Sequence, residues 1–226
     1  MNNQEIEFHQ EWMETEDYEL KILMLVSLLA ENNLAFRGSL KTMCEWMGLK
    51  LHADNTAKIK EALHTLAEKE YIYHIIEGRT HHISISNRGL TDKRVLRIRK
   101  AWIETIRNYR SVIDEYMTKV DWAKVVKVFI FCIQEDGEIK KMTQRAETVG
   151  ISVDTFRRSL AILKQLDFEG LEILVNVKKR FVDNDYWITL GTAIDTMRTF
   201  EDEGTFENPL CASSYWPDED EYEILS

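Results

Sequence analysis

The chain has little of what builds cross-linked or membrane-embedded proteins. Its 226 residues include three cysteines, Cys44, Cys132 and Cys211, which are widely spaced and odd in number. This spacing argues against a disulfide framework or a zinc ribbon and fits a reducing compartment. No apolar run approaches the roughly 20 residues of a membrane-spanning helix. The N-terminus also lacks the basic segment of a secretory signal. We therefore expect a cytoplasmic protein that does not associate with membranes.

Lysine and arginine are missing from both ends of the chain. Residues 1–19 carry seven acids, residues 201–226 carry nine, and neither segment has a basic residue. The remaining 23 acids stand against all 29 lysines and arginines. Residues 20–200 therefore have a net charge of +6, although the whole chain has −10. A local excess of positive charge attracts phosphate groups even when the complete protein is acidic.

Motifs typical of catalytic centres are also missing. The sequence has no phosphate-binding loop, no GxSxG and no HExxH. Five of the six histidines lie between residues 52 and 82, and a hairpin there would bring His74 close to His81 or His82. Two imidazoles could hold a metal, but polar residues of a surface hairpin are the favoured interpretation because no further ligand motif accompanies them. We expect no enzyme activity, no cofactor and no metal site.

Residues 150–190 have the clearest local pattern. Ser152 is a natural helix N-cap, because its hydroxyl can accept a hydrogen bond from the first helical turn. Three apolar residues then recur at helical spacing: Phe156, Leu160 and Leu163. Residues 171–177 alternate between apolar and other side chains, which predicts a strand. The turn-prone residues 183–185 and a second strand over 186–190 complete a hairpin.

An earlier stretch has a similar pattern. Residues 20–30 predict a buried helix, Ser39 can cap a second helix, and Asn55 can cap a third. Strands are predicted over 71–76 and 80–86, with Gly78 in the turn between them.

The two stretches have matching inner positions, which indicates a diverged internal repeat. The spacing from Asn55 to its apolar face equals the spacing from Ser152 to its own. The matched positions are Ile59, Ala62, Leu63 and Leu66 in the first stretch and Phe156, Ser159, Leu160 and Leu163 in the second.

Residues 91–119, between the two stretches, are strongly basic and contain neither glycine nor proline. An apolar stripe at helical spacing runs through them: Leu96, Trp102, Ile103, Ile106, Tyr109 and Ile113. We predict one long helix that joins the two parts, with its apolar side packed on one of them or on a second subunit. A stripe of this length, if left exposed, would mark an interaction surface, so a homodimer formed through this helix is expected.

The order of three helices and a hairpin, found twice, resembles the tandem winged-helix domains of plasmid and phage replication initiators. It is also similar to bacterial regulators with one such domain and an added long helix. The resemblance implies a mainly α fold with small β-hairpin wings. Its domains would be an acidic N-terminal arm or short helix (1–17), two winged-helix domains (18–90 and 120–200), a basic joining helix (91–119) and an acidic tail (201–226).

In winged-helix proteins the third helix enters the major groove and the wing contacts phosphate. Carried over, the resemblance implies these DNA-binding residues: Thr56, Lys58, Lys60 and Arg79 in the first domain, and Thr155, Arg157, Arg158, Lys178, Lys179 and Arg180 in the second. The basic joining segment adds Arg94, Arg97, Arg99 and Lys100. We expect a sequence-specific protein that binds double-stranded DNA, as a replication initiator or transcriptional regulator of a mobile element. The alternative is a non-catalytic adaptor whose winged helices bind protein, as in chromosome-segregation complexes.

The charge of the second domain and the composition of the tail leave further alternatives open. Residues 120–200 contain 12 basic and 12 acidic residues, so the second domain could serve dimerisation or partner binding rather than DNA contact. The tail combines its acids with bulky side chains: Phe206, Tyr215, Trp216, Tyr222, Ile224 and Leu225. It could compete with DNA for the basic joining segment, or it could bind a protein partner.

Overall fold

The computed structural model describes residues 5–29, 35–86, 88–91, 94–111, 113, 120–135, 140–168, 170–179 and 186–194. Within this part, helices alternate with short strands that form three small antiparallel sheets. The expected fold class is confirmed only in part. The helices and small sheets are present, but the fold is mixed α and β rather than mainly α. No helix in these ranges is long and apolar enough to cross a membrane.

The first described element is a strand, β1 (Glu5–His9), followed by a 3-10 helix (Gln10–Glu14). Phe8 and Trp12 are buried, and their ring centroids lie 5.5 Å apart in an edge-to-face arrangement. Burying a side chain such as Phe8 stabilises the fold by about 1.5–3 kcal/mol. The expected short helix is present as this 3-10 helix, whereas residues 5–9 form a strand rather than an arm.

The next six elements form what we call the first half: α1 (Asp17–Leu29), β2 (Phe36–Gly38), α2 (Leu40–Trp46), α3 (Ala53–Glu68), β3 (Ile72–Glu77) and β4 (Thr80–Ile85). Their sheet has the strand order β2-β4-β3. Gly78 has a φ of +62°, as the tight turn between β3 and β4 requires. The two predicted strands and the buried first helix are confirmed.

The helix caps of the first half agree only in part with those predicted from the sequence. Ser39 caps α2 as predicted, because its Oγ accepts a hydrogen bond from the backbone N–H of Thr42 at 3.2 Å. The predicted cap of α3 is wrong: the helix begins at Ala53, and His52 is its N-cap. Asn55 instead donates its side-chain amide to the backbone oxygen of Lys50 at 2.8 Å, which braces the preceding turn.

The predicted long helix over 91–119 is wrong. Residues 95–99 form a strand, β5 (Val95–Arg99), which pairs antiparallel with β1, and the following helix, α4 (Lys100–Arg107), is short. The pairing places Glu7 opposite Arg97 and Glu5 opposite Arg99. Opposite charges on facing strand positions stabilise a sheet, so the acidic N-terminal strand favours an extended conformation here.

The apolar stripe that predicted a homodimer is covered by the chain itself. Ile103, Ile106 and Tyr109 are fully buried within the hydrophobic core. The Tyr109 hydroxyl also donates a short hydrogen bond to the backbone oxygen of Val120. The expectation of a homodimer through this segment therefore loses its basis, because the stripe contains no exposed patch of the required size.

The last six elements form the second half: α5 (Trp122–Gln134), β6 (Lys140–Lys141), α6 (Met142–Val149), α7 (Val153–Leu163), β7 (Leu171–Lys179) and β8 (Tyr186–Ile194). Their sheet has the order β6-β8-β7, so both element order and sheet order repeat those of the first half. Ser152 caps α7 as predicted, since its Oγ accepts from the backbone N–H of Thr155 at 3.2 Å. All eight matched inner positions of α3 and α7 are buried, which confirms the predicted pattern.

The two halves pack against each other through α1 and α5. The Lys21 ammonium, 2% exposed, lies 2.5 Å from the carboxylate of Asp121, which is also the N-cap of α5. Lys127 donates to the backbone oxygen of Thr15 at 2.5 Å. The Trp122 indole N–H donates to the backbone oxygen of Met47 at 3.2 Å. These directed contacts orient the halves within one continuous core.

Candidate nucleic-acid interface

A groove of about 800 Å³ lies in the first half, between α3, the start of α2 and the β3–β4 hairpin. Basic and imidazole side chains line part of it: Lys41, Lys60, His64, His74, Arg79 and His81. Apolar residues line the rest: Leu40, Leu63, Ala67 and Ile76. The groove therefore combines positive charge with an apolar floor.

The groove brings together two of the four candidate residues predicted in the first half. Lys60 comes from the exposed side of α3 and Arg79 from the tip of the hairpin, and both side chains line the groove. Lys58 faces another way, because its ammonium lies 5.7 Å from the centre of the Tyr18 ring on α1. The Thr56 hydroxyl donates within its own helix, to the backbone oxygen of Ala53 at 2.8 Å.

Two histidines of the hairpin form a stacked pair at the wall of the groove. His74 Nε2 and His81 Nδ1 are 2.9 Å apart, and the rings are within 7° of parallel. Burial lowers the pKa of His74. Burial also lowers the pKa of His81, and the nearby His74 and Lys60 lower it further. The predicted approach of His74 to His81 is confirmed. Because both pKa values are lowered, the pair adds positive charge to the groove only when the pH falls.

No group of three or more His, Cys, Asp or Glu side chains that could hold a metal ion occurs among the residues with described positions. The histidine pair has Lys60 as a charged neighbour, and a cation disfavours binding of a second cation. The pair thus borders the cation Lys60 and adds positive charge of its own only as the pH falls.

The corresponding surface of the second half has a different charge balance. Arg158 lies 2.8 Å from Asp154, one helical turn earlier on α7, and both side chains are about half exposed. Thr155 is engaged at the helix start, where its hydroxyl lies 2.9 Å from that of Ser152. Arg157 is exposed on the same helix.

The remaining candidates of the second half fall on the hairpin. Lys178 and Lys179 lie on β7, paired with Trp187 and Tyr186 of β8. The placement of their side chains is outside the described part, and Arg180 is outside it altogether.

The basic joining segment is exposed but lies beside acids. Arg94, Arg97 and Arg99 are exposed, and the acidic strand β1 supplies Glu7 and Glu5 opposite the last two. Lys100 is half-buried and donates to the backbone oxygen of Leu28 at 3.4 Å. Neighbouring opposite charges reduce the field that these cations project into solvent.

The sequence predictions missed Lys41 and His64 as groove residues. Lys41 is on α2, and only the packing of α2 beside α3 brings it to the groove. His64 follows Lys60 by one helical turn, and this i,i+4 spacing was the available signal. Both have acidic neighbours: Lys41 is 3.8 Å from Glu45, and His64 is 3.2 Å from Glu68.

Comparison with models of known protein families found no match, and comparison with curated protein sequences found none. The groove, the charges around it and the repeated order of elements are therefore the features that bear on function.

Proposed function

We propose that this chain is a non-catalytic protein that binds double-stranded DNA, with the groove of the first half as its main contact surface. The observation that carries the proposal is the convergence of Lys60, from the third helix of that half, and Arg79, from its hairpin, on one open groove. A helix and a hairpin tip that present cations to the same side can contact phosphates on adjacent parts of a duplex.

The repeated architecture supports two winged-helix domains. Each half has the order helix, strand, helix, helix, strand, strand, and in each the short first strand pairs with the last strand of the hairpin. This is the arrangement expected of a winged helix, with α3 and α7 as the recognition helices and the two hairpins as wings. Replication initiation or transcriptional regulation of a mobile element is the role we propose for such a protein.

The charge distribution supports unequal roles for the two domains. Residues 120–200 are neutral overall, and Arg158 of the second recognition helix is engaged by Asp154. Lys60 and Arg79 instead line an open groove. We propose that the first domain supplies most of the electrostatic attraction, and that the second orients it through the contact between α1 and α5.

A protein-binding adaptor is the second candidate, and the outer side of the first hairpin favours it. Tyr73 and Ile75 alternate along β3 and are 47% and 62% exposed. An exposed apolar side of an edge strand suits another protein better than a phosphate backbone. The two candidates predict different responses to salt.

The test is duplex binding by the full chain, measured by fluorescence anisotropy from 50 to 300 mM salt. Lys41, Lys60 and Arg79 are three candidate phosphate contacts, which corresponds to a slope of log K against log salt of about −3. Lys60→Glu combined with Arg79→Glu should abolish binding. Lys164→Glu, at an exposed position of the second half, is the control and should bind nearly as the parent does. A duplex affinity that does not change with salt concentration, or equal effects of all these substitutions on that affinity, would favour the adaptor.

A further inference from the structure

We propose that the acidic tail, residues 201–226, docks into the groove of the first half. Its regulatory consequence, exclusion of DNA, rests on the proposed function. The docking itself does not, because it requires only that the tail and the groove match chemically.

The groove has two surfaces that a phosphate backbone cannot satisfy together. Lys41, Lys60 and Arg79 supply cations, whereas the half-buried Leu40 and Ala67 and the 58%-exposed Ile76 supply apolar surface beside them. A phosphodiester chain pairs with the cations but leaves the apolar surface in water. A peptide that carries both carboxylates and aliphatic side chains covers both surfaces, and burial of apolar area adds to the electrostatic attraction.

The end of this chain has that combination. Residues 218–225 read Asp-Glu-Asp-Glu-Tyr-Glu-Ile-Leu, so four consecutive acids precede Tyr222, Ile224 and Leu225. The whole tail has nine acids and no lysine or arginine. Its charge is opposite to that of the groove rim, and its apolar residues match the groove floor.

The length of chain outside the structure permits the contact. The strand β8 ends at Ile194, and 23 residues separate it from Asp218. In extended conformation they span about 80 Å, at roughly 3.3 Å per residue. A compact body of about 200 residues has a radius of gyration of only about 17 Å, so the tail can reach any part of it. The connection holds the tail near the groove at an effective concentration of about 1 mM.

The basic joining segment is a poorer target for the tail than the groove. Arg97 and Arg99 face Glu7 and Glu5 across the β1–β5 pair, so an acidic peptide would meet like charges there. The groove also has acids at its edge, Glu45 beside Lys41 and Glu68 beside His64. Lys60 and Arg79 line the groove without an ion pair among the described residues, so they are the cations that an acidic peptide would meet.

The direct test is carbodiimide cross-linking of the dilute full chain at low salt, followed by peptide mapping. The reagent joins a carboxylate to a neighbouring lysine amine as an amide, and takes up the released water as a urea. Lys60 and Lys41 should link to acids 218–223 at least about fivefold more often than Lys164 and Lys50, which are exposed and not part of the groove lining. This preference should disappear in 0.5 M salt, because screening weakens the attraction. Equal linking of all four lysines, or links that form only between molecules in an isotope mixture, would overturn the proposal.

A charge-preserving variant separates docking from general attraction. Tyr222→Ser, Ile224→Ser and Leu225→Ser together keep all nine acids but remove the apolar match to the groove floor. The cross-linking preference for Lys60 should then fall to nearly that of Lys164. A preference that survives unchanged would show that only charge attracts the tail and would overturn docking.

Duplex affinity then tests the consequence. A full chain with Asp218→Asn, Glu219→Gln, Asp220→Asn, Glu221→Gln and Glu223→Gln should bind duplex about tenfold more tightly at 50 mM salt and equally at 500 mM. Cross-links to Lys60 without any DNA binding would support docking and remove the proposed function. DNA binding without those cross-links would support the proposed function and overturn docking of the tail.

Discussion

The two halves of the molecule share their inner positions and differ on their outer ones. Ile59 and Leu63 of α3 correspond to Phe156 and Leu160 of α7, and all four are buried. On the outer side, the position of Ala57 in the first half corresponds to Asp154 in the second. That acid pairs with Arg158, whereas the first half has alanine at position 57 and an acid, Glu61, at the position of Arg158. The comparison teaches that burial preserves a packing pattern while exposed positions diverge in charge.

The groove shows the same contrast. Lys60 corresponds to Arg157, so both halves have a cation at this place on the third helix. Only the first half has histidines on its hairpin, because all six histidines of the chain lie before residue 83. Of the two hairpins, only that of the first half can therefore gain histidine charge as the pH falls.

The largest expected effect comes from breaking the contact between the halves. Asp121→Ala leaves the ammonium of Lys21 buried without its counter-ion and removes the N-cap of α5. We expect a loss of about 3–5 kcal/mol in the free energy of unfolding, measured by urea denaturation. Replacing both residues, with Lys21→Met added, should recover much of the loss. A cost below about 1 kcal/mol for Asp121→Ala alone would show that the pair does not hold the halves together.

Equivalent core truncations test whether the inner positions are truly matched. Leu63→Ala and Leu160→Ala should each cost about 2–5 kcal/mol, because each leaves a cavity on the inner face of a third helix. Lys164→Ala, on the exposed side of the chain, is the control and should change stability by at most about 0.5 kcal/mol. If one leucine behaves like Lys164, the correspondence between the halves fails at that position.

Removal of single cations should distinguish the outer surfaces. Lys60→Ala or Arg79→Ala should each reduce the salt slope of duplex binding by about 1. Arg158→Ala should leave the slope nearly unchanged, because its guanidinium already pairs with Asp154. Melting temperatures of the three variants check that folding is intact. Equal slope changes for Lys60→Ala and Arg158→Ala would mean that both domains contact DNA alike.

The smallest expected effect is the part of the pH dependence that comes from the histidine pair of the first half. The pKa values of His74 and His81 are lowered in the folded protein, so the unfolded chain binds more protons. Their contribution to stability is complete above about pH 6.5, the ordinary histidine pKa, and is lost as the pH falls through the lowered values. Melting temperatures between pH 7.5 and 5 should therefore decrease less in a variant with His74→Gln and His81→Gln.

A matched control for the pH experiment is His9→Gln. Burial lowers the pKa of His9 as well, although Glu7 and Glu11 oppose the shift. This variant should lose only the contribution of His9 and retain that of the pair. An unchanged pH dependence in the double variant would show that the stacked pair does not titrate within this range.

Local features of the fold were predictable because they depend on neighbouring residues. Ser39 and Ser152 each cap a helix through a backbone N–H three residues later, and Gly78 has the positive φ of a tight turn. The inner faces of α3 and α7 follow from helical spacing alone. A hairpin also predicted that His74 would lie close to His81 or His82. The register places His74 opposite Ile83 and His81 opposite Ile76, so the two imidazoles meet diagonally across the strands.

The errors concern contacts between distant parts of the chain. Helical spacing was present in residues 91–119, but β1 competes for residues 95–99 from 90 positions away, and cross-strand pairing prevailed. The place of Lys41 depended on how α2 packs beside α3. Asp154 precedes Arg158 by one helical turn in the sequence. Only the side-chain geometry showed that the two form an ion pair and that Arg158 is not an unpaired cation.

The sequence by itself determined the repeated pattern of buried positions, the caps Ser39 and Ser152, the hairpin turn and the acidic ends, because each follows from local backbone geometry or from composition. Only the tertiary structure decided that the N-terminal strand pairs with the basic segment, that Lys21 and Asp121 join the halves, and that Lys60 and Arg79 share a groove. The physical reason is range. Hydrogen-bonded turns and helical faces involve residues a few positions apart, whereas the packing free energy that chooses among distant partners depends on the whole core.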